Sequence, residues 1–227
     1  MNLNLKTKRQ AASTASGGIS NQPIYDSFLE LIEKLNIQGD CLDFGAGIGN
    51  LTQLLQSLDC FNSITATDIM QRPVVGIDNS IKWISWDLNE SLDIPSQQFD
   101  VIVSAEVIEH LENPRATVRE WFRLLRPNGI IIFSTPNNES WRALIALLIQ
   151  GHFVLFSDTC YPAHITALLR KDIRRILDEA GFSEPTFIFT NLGGIPKFPQ
   201  FKWQQISGGL LKGLRYSDNL VTIAYKA

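Results

Sequence analysis

Two groups of residues in this chain have types and spacings that could do chemistry. The first is Asp43-Phe44-Gly45-Ala46-Gly47-Ile48-Gly49. Alternate glycines allow a tight turn and let backbone N–H groups come close to a ligand. A loop that grips a dinucleotide pyrophosphate needs G-x-G-x-x-G, and Asn50 stands where its third glycine would be. The second group is Glu106, Glu109 and His110, spaced i, i+3, i+4, with His164 far downstream in Tyr161-Pro162-Ala163-His164. If the chain turns helical at Glu106, these first three side chains share a face and converge. Residue types of this kind ligate metals or move protons, and His164 alone could serve as a general base. The structural alternative is that the histidines cap or pack.

Short apolar runs alternating with helically patterned stretches would position both groups. Strands are expected over 41–44, 63–68, 81–87, 99–107, 129–135, 186–190 and 219–227. A helix opens at Pro23, with Ile24, Phe28, Leu31, Ile32 and Leu35 on one face. Others follow the glycine loop (50–58), begin near Pro114, and cover 171–182, where Gly181 supplies a left-handed stop. Such alternation implies a mainly parallel, doubly wound α/β sheet. Residues 1–20 are rich in Ser, Ala, Gly and Asn and are read as a mobile tail. Residues 21–227 are read as a single domain. Lys6, Lys8 and Arg9 are not followed by an apolar stretch, so no secretory leader is expected. No run approaches the roughly 18 apolar residues of a membrane span.

Composition narrows the classes further. Hydrophobic residues make up 44% of the 227, enough for one sizeable core. A formal charge of −3 and a pI near 5.6 disfavour a partner held mainly through phosphate charge, such as nucleic acid. Cys41, Cys60 and Cys160 are far apart and form no C-x-x-C pair, which excludes a disulfide framework or zinc knuckle and suits a reducing cytoplasm.

An acidic residue followed by G-x-G-x-G resembles motif I of the class I S-adenosylmethionine (SAM)-dependent methyltransferases. SAM carries no phosphate, so the missing third glycine is no obstacle. The stretch SAEVIEHLENPRATVREWFRLLRPNGIIIFSTPN resembles the family's fourth strand, helix and fifth strand. The resemblance covers roughly residues 25–190. It implies a Rossmann-like seven-stranded sheet of order 3-2-1-4-5-7-6, last strand antiparallel, flanked by helices. It implies a cofactor site at Asp43, Gly45, Ala46, Gly47 and Gly49. Asp68 and Ile69 would take the ribose, Asp87 and Leu88 the adenine, with Ala105 and Glu106 beside them.

Within that class the chain resembles the ubiquinone-biosynthesis O-methyltransferases, and shares its E-x-x-E-H stretch with the small-RNA 3′-end methyltransferases. This resemblance implies a divalent cation, Mg²⁺, Mn²⁺ or Zn²⁺, held by Glu106, Glu109, His110 and His164. Two carboxylates suit Mg²⁺ or Mn²⁺, whereas two imidazoles favour later transition metals. A metal could lower the pKa of a phenol-like hydroxyl from near 10 and fix its line of attack. His110 and His164 are thus the candidate catalytic residues. The same motif also occurs without metal, one glutamate then only shaping the SAM pocket.

Residues 139–165 form an apolar insertion where the family places a substrate lid; in the quinone enzymes such a segment touches the membrane. Here 141–156 would lie on a membrane surface or pack as a helical hairpin, with His152 structural. Arg115, Arg119, Arg123 and Arg126 form a stripe that is read as a solvated helix face, with RNA or anionic lipid as the alternative. The expected reaction is O-methylation of a small apolar or aromatic hydroxyl compound. N- or C-methylation, a sugar or natural-product acceptor, RNA 3′-end methylation and a non-catalytic SAM-binding module are the rivals.

Overall fold

A computed structural model of the protein describes residues 3–74 and 76–227. In chain order it contains α1 (Leu3–Ser16), α2 (Gln22–Lys34), β1 (Gly39–Phe44), α3 (Asn50–Ser57), β2 (Phe61–Asp68), β3 (Lys82–Ser85), β4 (Phe99–Ser104), α4 (Pro114–Leu124), β5 (Leu125–Pro136), α5 (Trp141–Gln150), α6 (Arg170–Ala180), β6 (Thr186–Phe189), β7 (Gly194–Ile195), β8 (Phe198–Lys202), α7 (Trp203–Ile206) and β9 (Asn219–Tyr225). Seven strands form one sheet in the order β3-β2-β1-β4-β5-β9-β6, in which β9 runs antiparallel to both its neighbours. This is the expected topology, β9 being the seventh strand of that sheet.

The strands are apolar on both faces because helices cover both. On β4, Val101 and Val103 point to one side and Ile102 to the other; on β5, Ile130 and Ile132 oppose Ile131 and Phe133. One side packs Phe44, Phe133 and Trp121 under α4 and α6. The other packs Ile24, Phe28 and Ile32 of α2 with Leu51 and Leu55 of α3. Leu35, expected on the buried face of α2, falls at its C-cap and is exposed.

Local signals explain the boundaries. Asn113 accepts from the Ala116 amide and Pro114 opens α4, whose missing N–H costs nothing there. Ser140 caps α5 in the same way, and Gly151 (φ 80°) and Gly181 (φ 97°) end α5 and α6 in the left-handed conformation.

Three sequence expectations are corrected. The stretch read as a mobile tail is helical over Leu3–Ser16, while Met1 and Asn2 lie outside the described residues. The fourth strand ends at Ser104 rather than 107, because Glu106 takes a left-handed φ of 55°. No α-helix starts at Glu106; one 3₁₀ turn, Ile108–His110, follows instead. A two-stranded β7–β8 hairpin with α7, inserted between β6 and β9, was not anticipated, since 191–218 shows no clear period.

The expected arginine stripe is divided: Arg115, Arg119 and Arg123 lie on α4, and Arg126 on β5. Arg115 pairs with Glu179, Arg123 with Glu120 and the carbonyls of Leu92 and Ile94, and Arg126 with Asp40 and Asp100.

Candidate active site

A cavity of about 520 Å³ opens at the carboxyl ends of β1, β2 and β4. That is where open α/β sheets bind ligands. Its floor is the glycine loop through Gly45, Ala46 and Gly47, while Gly49, expected there, caps α3 and does not line it. Gly45, Gly47 and Gly49 have φ of 87°, 56° and 89°, and a Cβ on Gly47 would sit 2.2 Å from the Gly18 carbonyl oxygen. The loop amides are occupied within the protein rather than held out for a ligand. Gly45 and Ala46 donate to the Thr67 carbonyl at 2.8 and 3.0 Å, Gly47 to Asp68 Oδ2 at 2.8 Å, and Ile48 to the Gly18 carbonyl at 3.2 Å. The glycines therefore serve close packing of the loop more than amide presentation.

Asp43, at the end of β1, is buried. Its Oδ2 accepts from Thr52 Oγ1 at 2.6 Å, Oδ1 has no partner, and burial pushes the carboxyl up to about 7. Asp68, at the end of β2, accepts from the amides of Gly47 and Met70, one on each oxygen. Burial raises its pKa as well. A carboxylate offers about four acceptor directions, so each Asp68 oxygen retains one. Ile69, Asp87, Leu88 and Ala105 line the same cavity.

Helix α1 closes one side of it. Leu5, Lys8, Arg9, Ala12, Ser13 and Ser16 line the cavity, a spacing that follows a single helix stripe. Arg9 reaches three carboxylates: Asp87 and Glu90 at 3.0 Å each, and Glu112 through two nitrogens at 2.9 and 2.5 Å. No apolar periodicity marks this helix, so sequence reasoning missed it. The one available signal was a run without proline or glycine that ends at Gly17-Gly18.

The second candidate group divides. Glu106 lines the cofactor cavity with Ala105 but does not join the other three: Oε1 accepts from Ser134 Oγ and Oε2 from Asn219 Nδ2, both at 2.9 Å. Loss of solvent lifts its carboxyl to about 7. Glu109, His110 and His164 come together, with ligand atoms within 4.8 Å of one another. Of the four residues expected to converge, three do so and Glu106 does not join them.

The loop bearing His164 is pinned to that turn: the amides of Ile165 and Thr166 both donate to the Glu109 carbonyl at 3.0 Å. His110 Nδ1 donates to the Ala163 carbonyl at 2.8 Å, which leaves Nε2 with its lone pair in the neutral ring. The two imidazoles meet edge to face at 4.6 Å. Burial, and then His110, depress the His164 pKa to about 4, and burial depresses that of His110. Both Glu109 oxygens and His164 Nδ1 are buried without a hydrogen-bond partner. Burial and then Glu106 hold the Glu109 carboxyl well above its ordinary range.

Only the later half of the expected lid reaches the cavity, through Leu155, Tyr161, Pro162, His164 and Ile165; no residue of α5 lines it. His152 lies outside the cavity and its Nδ1 meets the Phe153 carbonyl.

A sheet of this order with a glycine loop and acidic strand ends at its carboxyl edge defines a Rossmann-like SAM-dependent methyltransferase. The chain belongs to the methyltransferase domain family, whose model matches residues 19–183. It is 27% identical over 134 residues to a ubiquinone biosynthesis O-methyltransferase of Pseudomonas entomophila (strain L48), covering 54% of this chain and 55% of that one. The chain thus spans about half the length of that relative. A SAM-dependent methyltransferase from Archaeoglobus fulgidus superposes with a TM-score of 0.64 at 18% identity, over 91% of this chain and 95% of the other. The N-methyltransferase NodS of Bradyrhizobium japonicum WM9, solved with S-adenosylhomocysteine (SAH), does so with 0.54 at 18% identity, over 89% and 85%. SAM is the cofactor of this enzyme class.

Proposed function

We propose that the enzyme methylates an oxygen of a small apolar or aromatic hydroxyl compound, with a divalent cation at Glu109, His110 and His164. The observation that carries this is the convergence of Glu109, His110 and His164, with both Glu109 oxygens and His164 Nδ1 buried and unpartnered; the two histidines line the cofactor cavity and Glu109 lies behind them. Buried polar atoms are almost always hydrogen-bonded, and an ion would satisfy these. The name of the curated relative supports an oxygen acceptor.

In this reading Asp68 takes the ribose hydroxyls with its remaining lone pairs, and Asp87 and Leu88 flank the adenine. One carboxylate with two imidazoles fits Zn²⁺ or Mn²⁺ better than Mg²⁺, which prefers oxygen ligands. The Ala163 carbonyl fixes the His110 tautomer and leaves Nε2 as the nitrogen that could ligate an ion. The cation would supply a Lewis acid that lowers the acceptor hydroxyl's pKa. Leu155, Tyr161, Pro162 and Ile165 give that acceptor an apolar wall.

His164 as a general base is the weaker reading. A base of pKa about 4 taking a proton from a phenol near 10 works uphill by about 8 kcal/mol. Metal uptake tests the proposal: Zn²⁺ or Mn²⁺ should bind the purified protein, and Glu109→Gln or His164→Ala should abolish binding. Glu106→Gln should retain it. Loss in Glu106→Gln alone would place the ion elsewhere.

A further inference from the structure

Helix α1 lies outside the stretch that the family model matches, which begins at residue 19. Its sequence gives it little reason to dock. None of residues 5–16 is buried, so this helix adds nothing to the core. A 14-residue helix is marginal in water by itself. Yet six of its residues line the cofactor cavity.

Two ties fasten it there. At its C-terminal end Gly17 and Gly18 are both left-handed, with φ of 74° and 63°, and the Gly18 carbonyl accepts from the Ile48 amide of the glycine loop at 3.2 Å. A Cβ built on Gly17 would meet nothing within 4 Å. Two adjacent glycines in open space can change φ and ψ at little cost, as a hinge requires. Farther along the helix, Arg9 makes four hydrogen bonds to Asp87, Glu90 and Glu112. Asp87 is heavily used: Oδ1 accepts from the amide and Nδ2 of Asn89 at 3.1 and 3.2 Å, and Oδ2 from Arg9 at 3.0 Å. In the reading above Asp87 flanks the adenine, so the incoming base meets a carboxylate that Arg9 already holds.

We infer that α1 is a hinged strap over the cofactor, pivoting at Gly17–Gly18 and latched by Arg9, which opens to admit SAM and to release SAH. Opening uncovers no apolar core, because the helix buries none. It also returns the latch charges to water rather than stranding them, since the Glu90 and Glu112 side chains are already 49% and 44% exposed. A side chain that merely gripped the cofactor would slow its departure and leave its arrival unchanged, as interface contacts usually do. A strap that must open slows both. The inference rests on the assignment of the cavity to SAM, and not on the metal or the acceptor.

Rapid-mixing kinetics with SAH on the full-length protein test it, once calorimetry has measured SAH binding by the wild type. Arg9→Gln should speed association as well as dissociation, each on the order of tenfold, with Kd moving much less than either rate. Glu112→Gln leaves Arg9 beside Asp87 but loosens the latch, so it should also speed both. Hydrogen exchange needs no variant: a bound cofactor is uncovered when the strap opens, so SAH should slow exchange of the α1 amides. Faster dissociation with unchanged association would make α1 a simple contact and overturn the strap. Wild-type rates in Glu112→Gln, or α1 amides that exchange equally with and without SAH, would overturn it as well. A wild-type protein that binds no SAH would overturn the cofactor assignment, and the strap with it.

Discussion

Arg9 and Asp87 are 78 residues apart in sequence and joined at 3.0 Å across the mouth of the cofactor cavity. The same guanidinium grips Glu112 with two nitrogens, so α1 is fastened to the far side of the pocket. Replacing Arg9 by Gln should speed SAH dissociation about tenfold or more and lower stability by about 1–3 kcal/mol. The figure sits below that for a fully buried pair because Glu90 and Glu112 are about half exposed. Stopped-flow release across a salt series checks it. The wild-type rate should rise with salt and the variant's should not; identical rates would detach α1 from cofactor retention.

Asp68→Ala should weaken SAH binding by about 1.5–3 kcal/mol, the range for a hydrogen bond to a charged group. Because Asp68 also holds the Gly47 and Met70 amides, part of that loss belongs to the loop. An analogue lacking the ribose 2′-hydroxyl separates the two, since it should show a smaller difference between the proteins. Calorimetry giving less than about 0.5 kcal/mol for Asp68→Ala would put the ribose elsewhere.

Asp43 makes a pH prediction. Its folded pKa, about 7, lies above the ordinary 3.8, so the fold binds this proton more tightly than the unfolded chain does. The stability it contributes is complete below about pH 3.8 and is lost as pH rises through about 7. Asp43→Asn, which still accepts from Thr52, should therefore stabilise the ligand-free protein at pH 8 by up to about 4 kcal/mol. The advantage should shrink toward zero near pH 4. Urea titrations at three pH values measure it, and a pH-independent difference would show that Asp43 titrates normally.

Much of this was legible in the sequence, for identifiable reasons. The doubly wound sheet followed from alternating apolar runs, its strand order from the resemblance to SAM-dependent methyltransferases, and the glycine loop from a spacing that fits one tight turn. Residue identity could not show how the chain leaves β4. The pattern allowed a helix from Glu106, but a left-handed residue and a 3₁₀ turn sent Glu106 to Ser134 and Asn219. Helix α1 escaped because its docked stripe is built from small and charged residues, which carry no hydrophobic period. The β7–β8 insertion escaped because its large apolar residues face water rather than a core.

Methyl transfer from labelled SAM to a panel of catechols and related hydroxyl compounds, after chelation and after restoring Zn²⁺, Mn²⁺ or Mg²⁺, tests the central claim most directly. The account predicts that chelation abolishes transfer, that Zn²⁺ or Mn²⁺ restores it better than Mg²⁺, and that His110→Ala stays inactive with any of them while still binding SAH. Full turnover in chelator, or normal turnover by His110→Ala, would contradict it.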